Sequence, residues 1–183
     1  MRIGGFQRVT LIDYPGKIGA TVFTQGCNFR CPYCHNPELV DTARYGTPIP
    51  EEEVMVFLEK RRGKLDAVTV TGGEPTVQKG LASFLKAIKA MGYFVKVDTN
   101  GSNPDILELL INRRLVDYLA MDIKGPLKKY STIAAVPVDT SEILRSIALI
   151  TSSGIMHEFR TTVVRSQLTL RDLRSIVQLI PQA

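Results

Sequence analysis

Five short runs rich in β-branched and apolar residues punctuate this chain, and each is followed by a segment with helical periodicity. The runs cover residues 20–24, 67–71, 93–98, 116–122 and 158–164. Between them, residues 51–62 carry an acidic first turn and a basic last one, as a helix dipole favours. Leu81, Phe84, Leu85, Ile88 and Met91 recur on one helical face that Gly92 stops. Asn103 and Pro104 read as the N-cap and first residue of a helix carrying Ile106, Leu109 and Leu110. Residues 141–152 turn Ile143, Leu144, Ile147 and Ile150 inward, and residues 169–180 open with Thr169 and Asp172 spaced as a capping box.

Strands alternating with helices predict a parallel sheet with helical crossovers, either doubly wound or barrel-like. In both architectures chemistry belongs at the C-terminal ends of the strands. The residues of unusual chemistry sit there: 26–34, 72–74, 98–101, 122–124, and Arg160 within the fifth run. Five placements on one rim predict a site.

A chain of 183 residues with no linker fits a single domain, 1–183, able to bury a core. Asp13, Tyr14, Pro15 and Lys17 break the N-terminal stretch as a signal peptide, and no run approaches the roughly 18 apolar residues of a membrane span. A cytoplasmic protein with no membrane partner is expected. The net charge is +5, but Lys60, Arg61 and Arg62, Arg113 and Arg114, and Lys128 and Lys129 are scattered, without a basic–aromatic stripe. That argues against nucleic acid. It leaves ordinary solvated helix ends or the docking of an acidic protein such as an electron donor.

All three cysteines fall within the loop 26–36, as Cys27-Asn-Phe-Arg-Cys31-Pro-Tyr-Cys34-His35. An odd, crowded set is no secreted disulfide framework and points to a metal. Three thiolates suit an iron–sulfur cluster. A 4Fe–4S cube normally takes four cysteines, so three would leave one iron open to a substrate. A structural zinc on Cys27, Cys31, Cys34 and His35 is a second reading, although adjacent residues rarely converge on one ion. A redox-active Cys31–Cys34 pair is a third, and it leaves Cys27 unexplained.

Cys-x3-Cys-x-aromatic-Cys, with Tyr33 as the aromatic, resembles the signature of the radical S-adenosylmethionine enzymes. The run from Gly26 to Asn36, with Leu11-Ile-Asp-Tyr-Pro-Gly16 before it, is similar to the glycyl-radical-enzyme activases, especially the activators of anaerobic ribonucleoside-triphosphate reductase. The likeness runs from about residue 5 to 164. It implies a partial (β/α)6-type TIM barrel holding a 4Fe–4S cluster on Cys27, Cys31 and Cys34, with S-adenosylmethionine on the open iron. In the resembling enzymes a sixth barrel strand and a later cofactor-contacting histidine follow the last helix. Neither has a counterpart here, so the chain reads as a short form or a fragment.

The remaining rim residues carry both a plain and a functional reading. Thr71-Gly72-Gly73-Glu74-Pro75 is a strand-to-helix turn whose bare glycines admit close backbone approach. By resemblance, Gly73 and Glu74 meet the amino group of S-adenosylmethionine. Asp98-Thr-Asn-Gly101 is an Asx-type turn, and by resemblance Asp98 faces the cofactor's polar end, beside a monovalent cation. Asp122 and Lys124 form either a structural ion pair or a cofactor contact, since two charges at a buried strand end need partners. Arg160 could bind a carboxylate through its fork of donors, or pair with Glu158. His35 is placed against the cofactor by resemblance, whereas His157 reads as structural.

The resemblance implies reductive cleavage of S-adenosylmethionine to a 5′-deoxyadenosyl radical, which makes a glycyl radical on a partner enzyme, with anaerobic ribonucleoside-triphosphate reductase as the expected partner. It also implies a low-potential donor of flavodoxin or ferredoxin type. The alternatives are a radical enzyme acting on a small molecule of deazapurine-pathway type, and a non-catalytic iron–sulfur or zinc module.

Overall fold

The computed structural model of the protein describes residues 1–181. One six-stranded sheet, in the order β1-β2-β3-β4-β5-β6, carries the chain. Its strands are β1 (Ile3–Thr10), β2 (Gly19–Thr24), β3 (Ala67–Gly72), β4 (Phe94–Thr99), β5 (Tyr118–Asp122) and β6 (Met156–Arg160). From β2 to β6 every pairing is parallel, whereas β1 runs antiparallel to β2. The helices are α1 (Glu51–Lys60), α2 (Leu81–Ala90), α3 (Pro104–Asn112), α4 (Tyr130–Ala134), α5 (Thr140–Ser152) and α6 (Leu170–Val177). β1 and β6 are the edges of the sheet, with one bridge from Ile49 to Ile3 on the β1 side, and among the described residues no strand follows α6.

The period of two along the strands separates a dry face from a polar one. Val68, Val70, Val95, Val97, Leu119 and Met121 share a core with Val54, Leu58, Leu85, Ile88, Leu107, Leu110, Ile143, Ile147 and Ile150 from the helices. The alternate residues make rows across the other face. Thr21, Thr69, Lys96 and Tyr118 are in register, as are Asp98, Ala120 and Glu158, and Asp122 with Arg160. This face carries the charges of the barrel interior. The β1–β2 connection closes its lower end, where Tyr14 packs against Tyr118 and Asp13 accepts a hydrogen bond from Thr21 Oγ1 at 2.5 Å.

Several local expectations shift. β1 goes unread in the sequence because Gly4 and Gly5 interrupt a run whose side chains stay half exposed. The fifth parallel strand starts two residues earlier than expected and ends at Arg160, because the ladder stops where Ile123 N–H donates to the Arg160 carbonyl. Thr161 to Val164 therefore leave the sheet, and Val163 is exposed. On α5, Leu144 faces outward, and Ser146 takes the buried position with Oγ donating to the Gly101 carbonyl. Asn103 precedes α3, but its amide donates to Thr76 Oγ1 instead of capping the helix. The Thr169–Asp172 capping box forms as expected.

Glycine decides how the rim closes. Gly72 has φ +106° and Gly26 has φ +112°. A Cβ on Gly73 would overlap the Gly26 carbonyl oxygen. That close approach lets Gly73 N–H donate to the Thr24 carbonyl and Glu74 N–H to the Gly26 carbonyl, both at 2.8 Å. The two glycines of the turn thus first serve contact between two backbone segments.

Two substitutions test this packing. Leu119→Ala, in the fully buried layer between sheet and helices, is expected to cost about 2–5 kcal/mol in urea unfolding of the cluster-free chain. Gly73→Ala is expected to cost about 1–3 kcal/mol in the same measurement, since backbone has to shift to admit the methyl group.

Candidate active site

The rim encloses a cavity of about 360 Å³ lined by residues from every parallel strand end. Cys27, Cys31, Cys34, Tyr33 and His35 come from the loop after β2. Gly73 and Glu74 come from the turn after β3, Asp98 from β4, Asp122 and Lys124 from β5 and beyond, and Arg160 from β6. Every residue singled out in the sequence for this site lines that one cavity.

The cysteine loop is held from three sides. Phe29 is buried and packs edge-on against Tyr130 of α4, with ring centroids 6.4 Å apart. Arg30 N–H donates to the Ala134 carbonyl at 2.9 Å, and its guanidinium turns back to the Cys27 and Phe29 carbonyls at 2.6 and 2.8 Å. Gly26 N–H donates to the Leu39 carbonyl. On the β4 side, Asn28 donates to Ser102 Oγ and accepts from the Asn100 side chain, each at 2.8 Å.

All three cysteines are free and half-buried. Cys27 Sγ accepts a hydrogen bond from Phe29 N–H at 3.3 Å, and burial pushes its thiol up to about 11. Burial also raises the Cys31 thiol, against the opposing pull of the Lys124 ammonium. A metal reverses that balance, because thiolate ligation replaces the proton. Among the described residues, no three Cys, His, Asp or Glu side chains close on one point as a single bound ion requires. A cluster that takes each cysteine on a different iron spreads its ligands around a cube instead. Free thiols, backbone N–H donation to sulfur and an adjoining cavity fit a 4Fe–4S cluster held by Cys27, Cys31 and Cys34.

Opposite the cysteines, charge is arranged in pairs. Arg160 Nε lies 3.0 Å from Asp122 Oδ1, and its terminal nitrogens lie 3.3 Å from Asp98 and 3.7 Å from Glu158. Lys124 Nζ lies 3.1 Å from Asp122 Oδ2. Lys96, only 3% exposed, reaches Asp98 and Glu158 at 3.4 Å each and donates to the Asp13 carbonyl at 2.7 Å. Burial raises Asp98 despite Arg160 and Lys96. For Lys124, burial works to lower the pKa, but Asp122 and Cys31 win and leave it raised. The positive partners of Asp98 are thus side chains of the protein itself.

Glu74 is 1% exposed and burial raises its pKa. Its Oε1 accepts from Thr76 N–H, Thr76 Oγ1 and Thr99 Oγ1 at 3.0, 2.6 and 2.8 Å, while Oε2 accepts from Asn100 N–H at 2.6 Å. Since a carboxylate oxygen offers two lone pairs, free capacity remains on Oε2. The buried Tyr33 hydroxyl has no hydrogen-bond partner among the described residues. His157 faces away, with Nδ1 2.8 Å from the Ile155 carbonyl and its ring against Phe159.

Sequence reasoning missed Thr76, Thr99, Asn100 and Lys96. Thr99 and Asn100 lie in the very turn singled out for Asp98, where an Asx residue at a strand end was the available signal. Lys96 gave only a lysine inside an apolar run.

The family described as the radical SAM superfamily matches residues 21–180. A Methanocaldococcus jannaschii protein, named as a candidate glycyl-radical enzyme activating enzyme, is 34% identical over 97% of this chain and 75% of its own length. The pyruvate formate-lyase-activating enzyme of Clostridium pasteurianum is 34% identical over 67% of this chain, which spans about half (52%) of that enzyme. The 7-carboxy-7-deazaguanine synthase of Methanopyrus kandleri is 32% identical over 62% of this chain and 52% of its own. Streptococcus suis SuiB and anSMEcpe, both solved with S-adenosylmethionine, share the fold at TM-score 0.65 and 15% identity. They match over 85% of this chain and 36% and 45% of theirs. Enzymes of the matched superfamily use a 4Fe–4S cluster and S-adenosylmethionine. With its cysteines, glycine turn and charged strand ends gathered on one cavity, this chain belongs to the radical SAM superfamily, among the glycyl-radical-enzyme activating enzymes.

Proposed function

We propose that this chain, acting as one domain over 1–183, installs a glycyl radical on a partner enzyme, with anaerobic ribonucleoside-triphosphate reductase as the partner. The observation that carries the proposal is the cavity itself, where three free cysteines face paired charges suited to a zwitterionic ligand. When bound, the reduced cluster and S-adenosylmethionine supply one-electron cleavage of a carbon–sulfur bond and so a hydrogen-abstracting carbon radical. The protein's own residues bind and orient. Cys27, Cys31 and Cys34 would hold the cluster. Lys124 and Arg160 offer donors to a carboxylate, and the Gly73 backbone with Glu74 Oε2 accepts from an ammonium group. Asp98 and Asp122 keep those cations charged and in place. Tyr33 and His35 flank the ligand from the cysteine loop, and Phe29 and Val40 help exclude water.

The sequence features behind the choice of partner are the Leu11-Ile-Asp-Tyr-Pro-Gly16 segment and the cysteine loop. A low-potential flavodoxin or ferredoxin in the cytoplasm would supply the electron. Among the described residues no helix is long and apolar enough to cross a membrane. A second reading, a radical enzyme acting on a small molecule, draws on the likeness to a deazaguanine synthase and on the charged inner face around Lys96 and Glu158. A closed zinc or non-catalytic module does not account for a cavity shared by the cysteines and five charged strand-end residues.

Anaerobic reconstitution with iron and sulfide should give a brown protein that forms 5′-deoxyadenosine on reduction, with a glycyl-radical doublet in the reductase by electron paramagnetic resonance. Cys27→Ala, Cys31→Ala or Cys34→Ala should reduce both products to background. Turnover of a deazapurine precursor without any doublet would favour the second reading. Lys124→Met removes one charge-assisted donor and is expected to weaken S-adenosylmethionine binding about 10–100-fold, checked by equilibrium binding to the reconstituted protein.

A further inference from the structure

Asn100, at the end of β4, touches the cysteine loop and the glycine turn at once. It is 5% exposed. Its backbone N–H donates to Glu74 Oε2 at 2.6 Å, and its Oδ1 accepts from Ser102 N–H at 3.0 Å. With main chain and carbonyl both engaged, the side-chain amide has one orientation left. Its Nδ2 donates to Asn28 Oδ1 at 2.8 Å and reaches Cys27 Sγ at 4.0 Å, at the long end of the range for a sulfur acceptor. The backbone N–H of Phe29 is the other donor on that sulfur.

We infer that Asn100 is a positioning residue that sets the reduction potential of the cluster through its amide contact to the Cys27 sulfur. Hydrogen bonds to ligand sulfurs are one of the determinants of iron–sulfur potentials. An N–H dipole pointing at sulfur stabilises the extra electron of the reduced cluster and so raises the potential. The link to Asn28 fixes the loop residue next to Cys27, and the bond to Glu74 fixes Asn100 against the turn on the far side of the cavity. The electron itself comes from the external low-potential donor, and Asn100 sets how readily the cluster accepts it. The inference rests on the cluster assigned above and does not depend on which partner enzyme the protein serves.

Asn100→Leu removes the amide at similar volume, and Asn100→Asp keeps the shape and the acceptor while replacing the donor with negative charge. Neither substitution touches the backbone bond to Glu74. Each reconstituted variant is titrated with dithionite against viologen mediators, and the reduced cluster is counted by electron paramagnetic resonance. At the poise that half-reduces the wild type, the reduced-to-oxidised ratio is expected to fall about fivefold or more in Asn100→Leu. It should fall further in Asn100→Asp, while Ser102→Ala, which loses only a bond to Asn28, titrates like the wild type. Wild-type potentials in both loaded variants would overturn the inference. So would failure of both to take up a cluster together with early urea unfolding, which would mark a purely structural residue. A wild-type chain that takes up no cluster would overturn the proposed function as well, so the two failures are told apart.

Discussion

Left bare, the carboxylate of Glu74 would cost several kcal/mol to bury, and the rim is arranged so that it is never bare. Thr76 closes it from its own turn, while Thr99 and Asn100 reach it from the end of β4. A single side chain thus ties two strand ends together at the height where the cavity begins. The same Asn100 then contacts the cysteine loop, so the loop, the glycine turn and the β4 end are held as one unit. Removing the carboxylate would leave several buried donors without a partner, which is why it is structural as well as a candidate ligand.

The inner face below shows how the fold tolerates charge next to a metal site. Lys96, Lys124 and Arg160 are set against Asp98, Asp122 and Glu158, some within one strand and others, such as Asp122 with Arg160, across neighbouring strands in register. Buried charges survive only when paired, and each of these has a charged partner before any ligand arrives, although Asp98 Oδ1 lacks a hydrogen bond among the described residues. A zwitterion entering the cavity can exchange into the existing pairs with no need to bring its own counter-charges. Preorganisation of this kind lowers the reorganisation demanded at the moment of reaction.

How much of this was legible in the sequence depended on range. The central strands announced themselves because they are buried on the helix side and keep apolar residues there, valines on β3 and β4 and Leu119 and Met121 on β5. β1 did not, because its glycines and half-exposed side chains carry no such signature. The run 158–164 looked like one strand because Thr161 to Val164 are β-branched, yet only pairing with β5 decides that the ladder stops at Arg160. Leu144 fits the helical stripe of α5 as well as its neighbours do. It faces outward all the same, while Ser146 takes a buried position against the Gly101 carbonyl.

The sequence by itself determined the cluster loop, the βα order and the rim on which the unusual residues fall. These depend on spacing and periodicity, which act over a few residues. Tertiary structure alone decided the rest. It chose the partners of Arg160, placed Lys96 beneath Asp98, turned the two glycines toward another backbone segment and brought Asn100 to Cys27. Such contacts join residues far apart along the chain, 83 positions in the case of Lys96 and Asp13. They exist only once the sheet has set its register, because register determines which side chains stand next to one another.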